Sequence, residues 1–145
     1  MKNYDCLNLE NQLCFPLYVC SKEIVRKYKP FLEKIDLTYT QYIVMIILWE
    51  YGKMNLKDLG NKMYLDSGTL TPLLKKLEIK GYIKRNKSCE DERNLMIELT
   101  KKGESLKDEA IDIPNKIGGC LNLDKEDTTT LYELLYKILN NIENN

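Results

Sequence analysis

Residues 40–51 restrict the fold more than any other part of this sequence, because this segment is apolar on nearly all sides of a helix. It contains the run QYIVMIILWE and is followed by Gly52. The segment is shorter than the roughly 20 residues that a membrane-spanning helix requires. A helix without a polar face has to be surrounded by other elements of the protein. The segment therefore predicts a buried central helix.

Two shorter helical patterns follow the central helix. Residues 56–63 (LKDLGNKM) predict a short amphipathic helix, and a second helix begins with Asp66 or Ser67 as its N-cap and ends near Gly81. Pro72 is tolerated because it lies near the start of that helix. The inward positions are Leu56, Leu59, Met63, Leu70, Leu73, Leu74 and Leu77. Two short helices joined by a tight turn predict a helix-turn-helix.

A short β-hairpin is predicted directly after these helices. Residues 82–85 and 95–99 have the pattern of two strands, and the intervening residues 86–93 are too polar to belong to a core. A helix-turn-helix followed by a hairpin is the winged arrangement. The predicted fold class is therefore mainly α with a small β-hairpin, a winged helix-turn-helix.

Helices are also predicted at both ends of the chain. Residues 9–29 have apolar side chains at mostly helical spacing and are followed by Pro30. Thr100 caps a later helix, which is interrupted near Pro114 and at the pair 118–119. The final segment, from about Asp124, carries an apolar stripe that needs a partner: Leu131, Leu134, Leu135, Ile138 and Ile142. We expect one domain over residues 1–145.

The composition excludes several kinds of enzyme. The 145 residues include five cysteines and no histidine, which removes histidine-based acid–base catalysis, Ser-His or Cys-His nucleophile pairs and histidine-ligated metal sites. No C-x-x-C pair is present, so we predict free thiols, no metal site and no cofactor. The polar N-terminus lacks the apolar region of a secretory signal, and we expect a cytoplasmic protein that does not enter a membrane.

A basic segment lies within a chain whose net charge is zero. Residues 61–102 hold ten basic and six acidic side chains. Such a segment is a candidate polyanion-binding surface, although a solvated charged surface is the alternative. The helix that begins at Ser67 exposes short hydroxyl groups, and the hairpin loop carries arginines that can enter a minor groove. The candidate DNA-binding residues are Ser67, Thr69, Thr71, Lys75, Lys76, Arg85, Lys87 and Arg93.

Four stretches of the sequence resemble the MarR family of transcriptional regulators. They are LENQLCFPLYVCSKEI, YKPFLEKIDLTYTQYIVMIILWE, MYLDSGTLTPLLKKLE and the segment from Arg85 to Arg93 that ends in DER. Within the family they are most similar to the OhrR repressors, which sense organic hydroperoxides, and to staphylococcal one-cysteine redox regulators. The resemblance implies a homodimer that binds double-stranded DNA at a palindromic operator. It places the dimerisation helices at about 8–30 and 101–145 and the DNA-binding part at about 54–100. It also implies that Arg93 enters the minor groove and that Asp91 helps to orient it.

The resemblance assigns a sensor site around Cys14. This residue matches the peroxide-sensing thiol, Tyr28 and Tyr39 match tyrosines that donate hydrogen bonds to it from the two subunits, and Tyr18 matches a further pocket tyrosine. A thiolate is the nucleophile toward peroxide, and phenol donors favour the charged form. Without the resemblance, Cys14 would be interpreted as a small hydrophobic residue and the tyrosines as core.

Two features leave alternatives open around this thiol. Pro16 either kinks the first helix or marks a helix that begins near Phe15, and the second alternative puts Cys14 at a helix N-terminus, where the helix dipole favours a thiolate. Cys120 resembles in position the resolving cysteine of two-cysteine OhrR proteins, and the alternatives are an ordinary loop residue or resolution by a low-molecular-weight thiol. Cys20 is expected to be structural.

These observations predict a DNA-binding repressor that is oxidised by an organic hydroperoxide at Cys14 and then releases its operator. One competing hypothesis is a repressor of the same fold that is released by a small aromatic ligand, for which the ten tyrosines could line a pocket. A thiol peroxidase built on Cys14 is the enzyme alternative. It is disfavoured because no arginine is near the thiol in the sequence to polarise a peroxide.

Overall fold

The computed structural model describes residues 1–87 and 94–145. Within these residues the chain forms helices and a small antiparallel sheet, with 3-10 turns at Asp5–Leu7, Leu9–Asn11 and Glu33–Ile35. The helices are α1 (Cys14–Leu32), α2 (Tyr39–Tyr51), α3 (Leu56–Met63), α4 (Ser67–Ile79), α5 (Lys101–Ala110), α6 (Ile113–Leu121) and α7 (Lys125–Glu143). The strands are β1 (Met54–Asn55), β2 (Ile83–Lys87) and β3 (Leu95–Leu99).

The described residues form two compact units, Met1–Ile113 and Pro114–Asn145. The first unit contains the helix-turn-helix and the sheet, and the second contains α7. The expectation of a single domain over the whole chain stays a prediction, as does the assignment of the terminal helices to dimerisation. No helix in the described part of the chain combines the length and the apolar character needed to cross a membrane.

Helix α2 forms the centre of the first unit, as its composition predicts. Its buried residues include Val44, Met45 and Leu48, which are at most 1% exposed, and α2 contacts α1, α3, α4, α5 and β3. A capping box begins the helix, because the Thr38 hydroxyl accepts from the Gln41 amide while the Gln41 side chain accepts from the Thr38 amide. The helix is therefore fixed both by its buried surface and by its N-terminal cap.

The winged helix-turn-helix predicted from the sequence is confirmed. Helices α3 and α4 are followed by strands β2 and β3, which pair in register from Ile83 with Leu99 to Lys87 with Leu95. The sequence did not reveal β1, whose two residues pair with β3 and make the strand order β1-β3-β2. Two residues are too few to produce an alternating pattern, so only the tertiary structure identifies this strand.

The first helix differs from the expected residues 9–29 at both ends. It begins at Cys14, so that Pro16 lies in the first turn, where its missing amide hydrogen would have no acceptor within the helix. This confirms the alternative of a helix that begins near Phe15. The expectation that Pro30 ends the helix is wrong, because α1 continues to Leu32, whose side chain is only 1% exposed. Burial of Leu32 favours the continued helix.

Two further boundaries differ from the predictions. Strand β2 extends to Lys87 instead of ending at Arg85. The C-terminal helices are interrupted at residues 111–112, near Pro114 as predicted, but the second interruption lies at 122–124 and the glycine pair at 118–119 lies inside α6. The predicted N-caps Asp66 and Thr100 both accept a backbone hydrogen bond from the first turn of their helices.

Gly103 provides a test of how closely α5 packs. A Cβ atom at this position would collide with the backbone carbonyl of Tyr82, whereas one at Gly118 in α6 would meet nothing within 4 Å. We expect Gly103→Ala to lower the free energy of unfolding by about 1–3 kcal/mol, because the backbone has to move. Gly118→Ala should raise it by about 0.5–1 kcal/mol through helix propensity. Urea unfolding of both variants measures the difference, and equal effects would contradict the packing described here.

Candidate functional site

Helix α4 has a buried apolar face and an exposed polar face. Leu70, Leu74 and Leu77 have no exposed surface and fix the helix against the rest of the first unit. The N-cap carboxylate of Asp66 accepts from the Thr69 amide at 2.7 Å, and this hydrogen bond lowers the pKa of Asp66. The exposed side chains on the opposite surface are those predicted to contact DNA: Ser67, Thr69, Thr71, Lys75 and Lys76.

The turn between α3 and α4 is so tight that it leaves no room for a side chain at Gly60. A Cβ atom at Gly60 would lie 2.8 Å from the carbonyl oxygen of Leu65. Tyr64 has a left-handed backbone conformation with φ of 56°, and the Leu65 amide donates to the Gly60 carbonyl at 3.0 Å. This geometry fixes the direction in which α4 leaves the turn.

Arg85 lies on a strand, as the pattern of residues 82–85 predicts, and its side chain is paired within the protein. It lies on β2 opposite Ile97, and its guanidinium Nη2 contacts the Glu78 carboxylate of α4 at 3.1 Å. The Arg85 amide donates to the other carboxylate oxygen at 3.1 Å, and the pair lowers the pKa of Glu78. The guanidinium therefore connects the hairpin to α4. Lys87 is exposed at the end of β2, whereas Asp91 and Arg93 lie outside the described residues.

Cys14 is exposed and is the first residue of α1. The side chain of Gln12 stabilises the segment before Cys14, because its Nε2 atom donates to the backbone carbonyls of Cys6 at 2.7 Å and of Asn8 at 3.1 Å. Tyr18, one helical turn after Cys14, is 60% exposed, and the Lys22 ammonium lies 5.4 Å from its ring centroid. Cys14 and Tyr18 therefore share one accessible face of α1.

Three tyrosines pack together at the other end of α1. The Tyr28 ring centroid lies 4.9 Å from that of Tyr39 and 5.8 Å from that of Tyr42. Burial raises the pKa of all three phenols, and the neighbouring rings add to this effect at Tyr28 and at Tyr42, whose pKa rises to about 12. We call Tyr28, Tyr39 and Tyr42 the tyrosine cluster. Its members keep their phenol protons and stay hydrogen-bond donors far above neutral pH.

The structure packs Tyr28 on Tyr39 within one chain and separates Tyr28 from Cys14 of that chain, while the hydrogen bonds of these tyrosines to Cys14 from two subunits stay a prediction. Tyr28 is fourteen residues further along the same continuous helix, which corresponds to about 21 Å along the axis. Tyr28 and Cys14 of the same chain are therefore too far apart for a hydrogen bond. Any direct contact between their side chains requires a second copy of the protein.

The positions of the other described cysteines do not indicate a particular role for any of them. Cys6, Cys20 and Cys120 are exposed, so the expectation that Cys20 has a structural, buried role is not supported by its position on α1. Cys120 lies near the end of α6, and Cys89 lies outside the described residues.

Sequence reasoning missed two residues of these sites, Tyr42 and Glu78. Tyr42 lies three residues after Tyr39 on a helix, a spacing that places both on adjacent positions of one face. That spacing was visible in the sequence, but its meaning depends on the contact with Tyr28. Glu78 was counted only as an acidic residue, because its pairing with Arg85 depends on how the hairpin folds against α4.

The fold and the exposed polar surface of α4 define a winged-helix DNA-binding protein. A family model described as transcriptional regulator SarA/Rot matches residues 26–110. The organic hydroperoxide resistance transcriptional regulator of Bacillus subtilis (strain 168) is 47% identical over 136 residues, which cover 94% of this chain and 92% of the relative. The chain therefore belongs to the MarR family of transcriptional regulators, in its OhrR group.

Solved structures of a staphylococcal relative agree with this assignment. Reduced AbfR bound to DNA is 35% identical, has a TM-score of 0.79 and covers 94% of both chains. Disulfide-formed AbfR is 34% identical, has a TM-score of 0.65, and the match covers 96% of this chain and 94% of that chain. AbfR is a protein of Staphylococcus epidermidis. Binding to DNA and a disulfide are thus both recorded for this relative.

The raised pKa of Tyr42 has a measurable consequence. Because folding raises this pKa from 10.0 to about 12, the stabilising contribution is complete below pH 10 and is lost as the pH rises toward 12. In a titration of absorbance at 295 nm we expect a late ionisation step that Tyr42→Phe removes. Tyr64→Phe, which removes the hydroxyl of an exposed tyrosine, should leave that step in place. Loss of the step in both variants would contradict the assignment.

Proposed function

We propose that this protein is a dimeric repressor that senses organic hydroperoxides through Cys14 and releases its operator when this thiol is oxidised. The observation that carries the proposal is the exposed Cys14 in the first turn of α1, in a chain of the OhrR group. The thiol is accessible to a small oxidant, and Tyr18 follows it on the same helix face. Oxidation there acts on a surface that a dimer would bury.

The geometry of α1 supports a site completed by two subunits. Ser21 lies midway between Cys14 and Tyr28, so two antiparallel α1 helices that cross near Ser21 would place each Cys14 beside the partner's Tyr28. Phe15, Leu17 and Val25 leave between 42% and 45% of their surface exposed on α1. Helix α7 also exposes apolar side chains that a second copy would cover: Leu131, Leu134, Ile138 and Ile142.

The oxidation step requires a hydroperoxide and one thiolate. The Cys14 sulfur attacks the terminal peroxide oxygen, the O–O bond breaks, and the alkoxide takes a proton and leaves as an alcohol. The product is a sulfenic acid on Cys14. A second thiol, from Cys120 or from a low-molecular-weight thiol, then displaces water and forms a disulfide. Both products add bulk or a covalent link at a packed subunit interface, and this change would reorient the DNA-binding parts.

The DNA contacts are proposed on the exposed surface of α4 and on the hairpin. Ser67, Thr69 and Thr71 are short enough to reach base edges or phosphates from the first turns of α4. Arg85 holds the hairpin against Glu78 through its Nη2 atom, and its contact with DNA stays a prediction. The remaining proposed contacts are Lys75, Lys76 and Lys87, together with Asp91 and Arg93 from the segment that the sequence predicts to be the hairpin loop.

The central experiment measures oxidation and DNA release together. The reduced protein first selects a binding fragment from a random-sequence DNA library. One equivalent of cumene hydroperoxide with a small thiol should then modify Cys14 and weaken binding by about tenfold or more. Cys14→Ser should keep its affinity after the same treatment. Cys20→Ser, which changes another exposed thiol on α1, should respond like the unmodified protein.

Mass mapping of the cysteines distinguishes the outcomes. A disulfide between Cys14 and Cys120 identifies a two-cysteine switch, and a small-thiol adduct on Cys14 identifies a one-cysteine switch. If Cys14 stays unmodified and a phenolic compound releases the DNA, the aromatic-ligand hypothesis replaces the redox one. Repeated turnover of hydroperoxide with a thiol reductant would instead indicate a peroxidase.

The proposed phosphate contacts predict a change in salt dependence. Lys76→Ala should weaken binding to all DNA sequences to a similar extent and reduce the slope of log affinity against log salt by about one. Lys107→Ala, on the exposed surface of α5, provides the control and should change neither quantity. Fluorescence anisotropy over a salt series measures both, and an unchanged slope in Lys76→Ala would exclude Lys76 as a phosphate contact.

A further inference from the structure

The ammonium group of Lys80 connects the end of α4 to the turn before α2. Lys80 directly follows α4, and its Nζ donates to the Asp36 carbonyl at 2.6 Å and to the Gln41 side-chain oxygen at 3.0 Å. The Asp36 carboxylate lies 3.3 Å away. These acceptors are distant from Lys80 in the sequence and account for the three protons of the ammonium group.

Gln41 makes this contact part of the α2 cap. Its side-chain oxygen also accepts from the Thr38 amide at 3.1 Å, and Gln41 is only 2% exposed. Lys80 therefore binds the capping box itself rather than a loose surface side chain. Because a buried polar group that loses its partner is costly, the cap and the end of α4 are expected to move together.

The same first turn of α2 carries two members of the tyrosine cluster. Tyr39 and Tyr42 pack on Tyr28 of α1, while Gln41 lies about 200° around the helix from Tyr39 and contacts Lys80. One side of this turn therefore faces the end of α1, and the other side holds the end of α4. A displacement of the tyrosine rings acts on a turn to which α4 is attached.

A second set of contacts strengthens the attachment. The Tyr82 hydroxyl donates to the Ile35 carbonyl at 3.3 Å, and Tyr82 is 5% exposed. The Lys80 carbonyl accepts from the Lys102 ammonium of α5 at 2.9 Å. The end of α4 is thus fixed between the turn at residues 33–36 and the start of α5.

We propose that Lys80 is a positioning residue that couples the tyrosine cluster to the recognition helix α4, so that the state of one biases the other. The proposal deepens the redox function proposed above. It rests on that function for the order of events, in which oxidation of Cys14 comes first and release of DNA by α4 follows. Coupling between two sites is reciprocal, so DNA binding at α4 should also alter the turn at residues 36–42. This reciprocity allows a test without any oxidant.

If a substitution of Lys80 weakens DNA binding, the competing explanation is that Lys80 itself binds a DNA phosphate. The side chain is 25% exposed, and its ammonium is already surrounded by acceptors of the protein. A phosphate contact would contribute to the salt slope, whereas a positioning role would leave the slope unchanged.

The test compares Lys80→Met, which keeps the aliphatic stem, with Lys34→Met, which removes one positive charge from the exposed surface of the neighbouring 3-10 turn. Hydrogen exchange is measured with and without the selected DNA fragment. In the unmodified protein and in Lys34→Met, DNA should slow exchange both at the start of α4 and at residues 37–42. Lys80→Met should retain the first effect and lose the second, with an unchanged salt slope.

Each outcome has a defined meaning. Persistence of the protection at residues 37–42 in Lys80→Met, its absence in the unmodified protein, or a salt slope reduced by about one would overturn the proposal. Lys80→Arg should restore part of the effect, and Asp36→Asn, which removes only the ion pair, supplies a second variant if Lys80→Met is poorly folded.

The redox response provides an independent measurement. The ratio of DNA affinities before and after hydroperoxide treatment should be about tenfold smaller in Lys80→Met than in the unmodified protein, within the usual range of coupling between sites. If the unmodified protein does not respond to hydroperoxide, the proposed redox function fails. The exchange experiment still decides whether Lys80 couples the two regions.

Discussion

The burial of α2 is the constraint on which the rest of the first unit depends. This helix has almost no polar surface, so it is stable only when α1, α3, α4, α5 and β3 cover it. Of these elements, α1 carries Cys14 and Tyr28, and α4 carries the exposed surface that is proposed to contact DNA. Residues that would respond to an oxidant and residues that would contact DNA are therefore attached to one apolar core.

Polar contacts then determine how the recognition helix is oriented on this core. Glu78 and Lys80 are two residues apart at the end of α4, yet the carboxylate holds the hairpin through Arg85 and the ammonium holds the α2 cap through Gln41. Leucine packing alone would allow small rotations of α4, because apolar contacts have little directional preference. These charged groups supply the direction, because they connect α4 to the hairpin on one side and to the cap of α2 on the other.

Much of this organisation could be predicted from local patterns. The apolar run of α2, the caps Asp66 and Thr100 and the leucine spacing of α4 all depend on residues within a few positions of each other. The placement of Tyr42, Arg85 and Lys80 could not be predicted in the same way. Their partners are seven to 44 residues away, and no periodicity records such pairs.

The sequence by itself determined the winged helix-turn-helix and the exposed surface of α4, and by resemblance it predicted the candidate thiol and its three tyrosines, Tyr18, Tyr28 and Tyr39. Only the tertiary structure decided that Cys14 begins a helix, that about 21 Å of helix separates it from Tyr28 of the same chain, and that Lys80 binds the cap of α2. The physical reason is that propensity and amphipathicity act between neighbours in the sequence, whereas the contacts of a charged or aromatic side chain depend on which elements the core brings together.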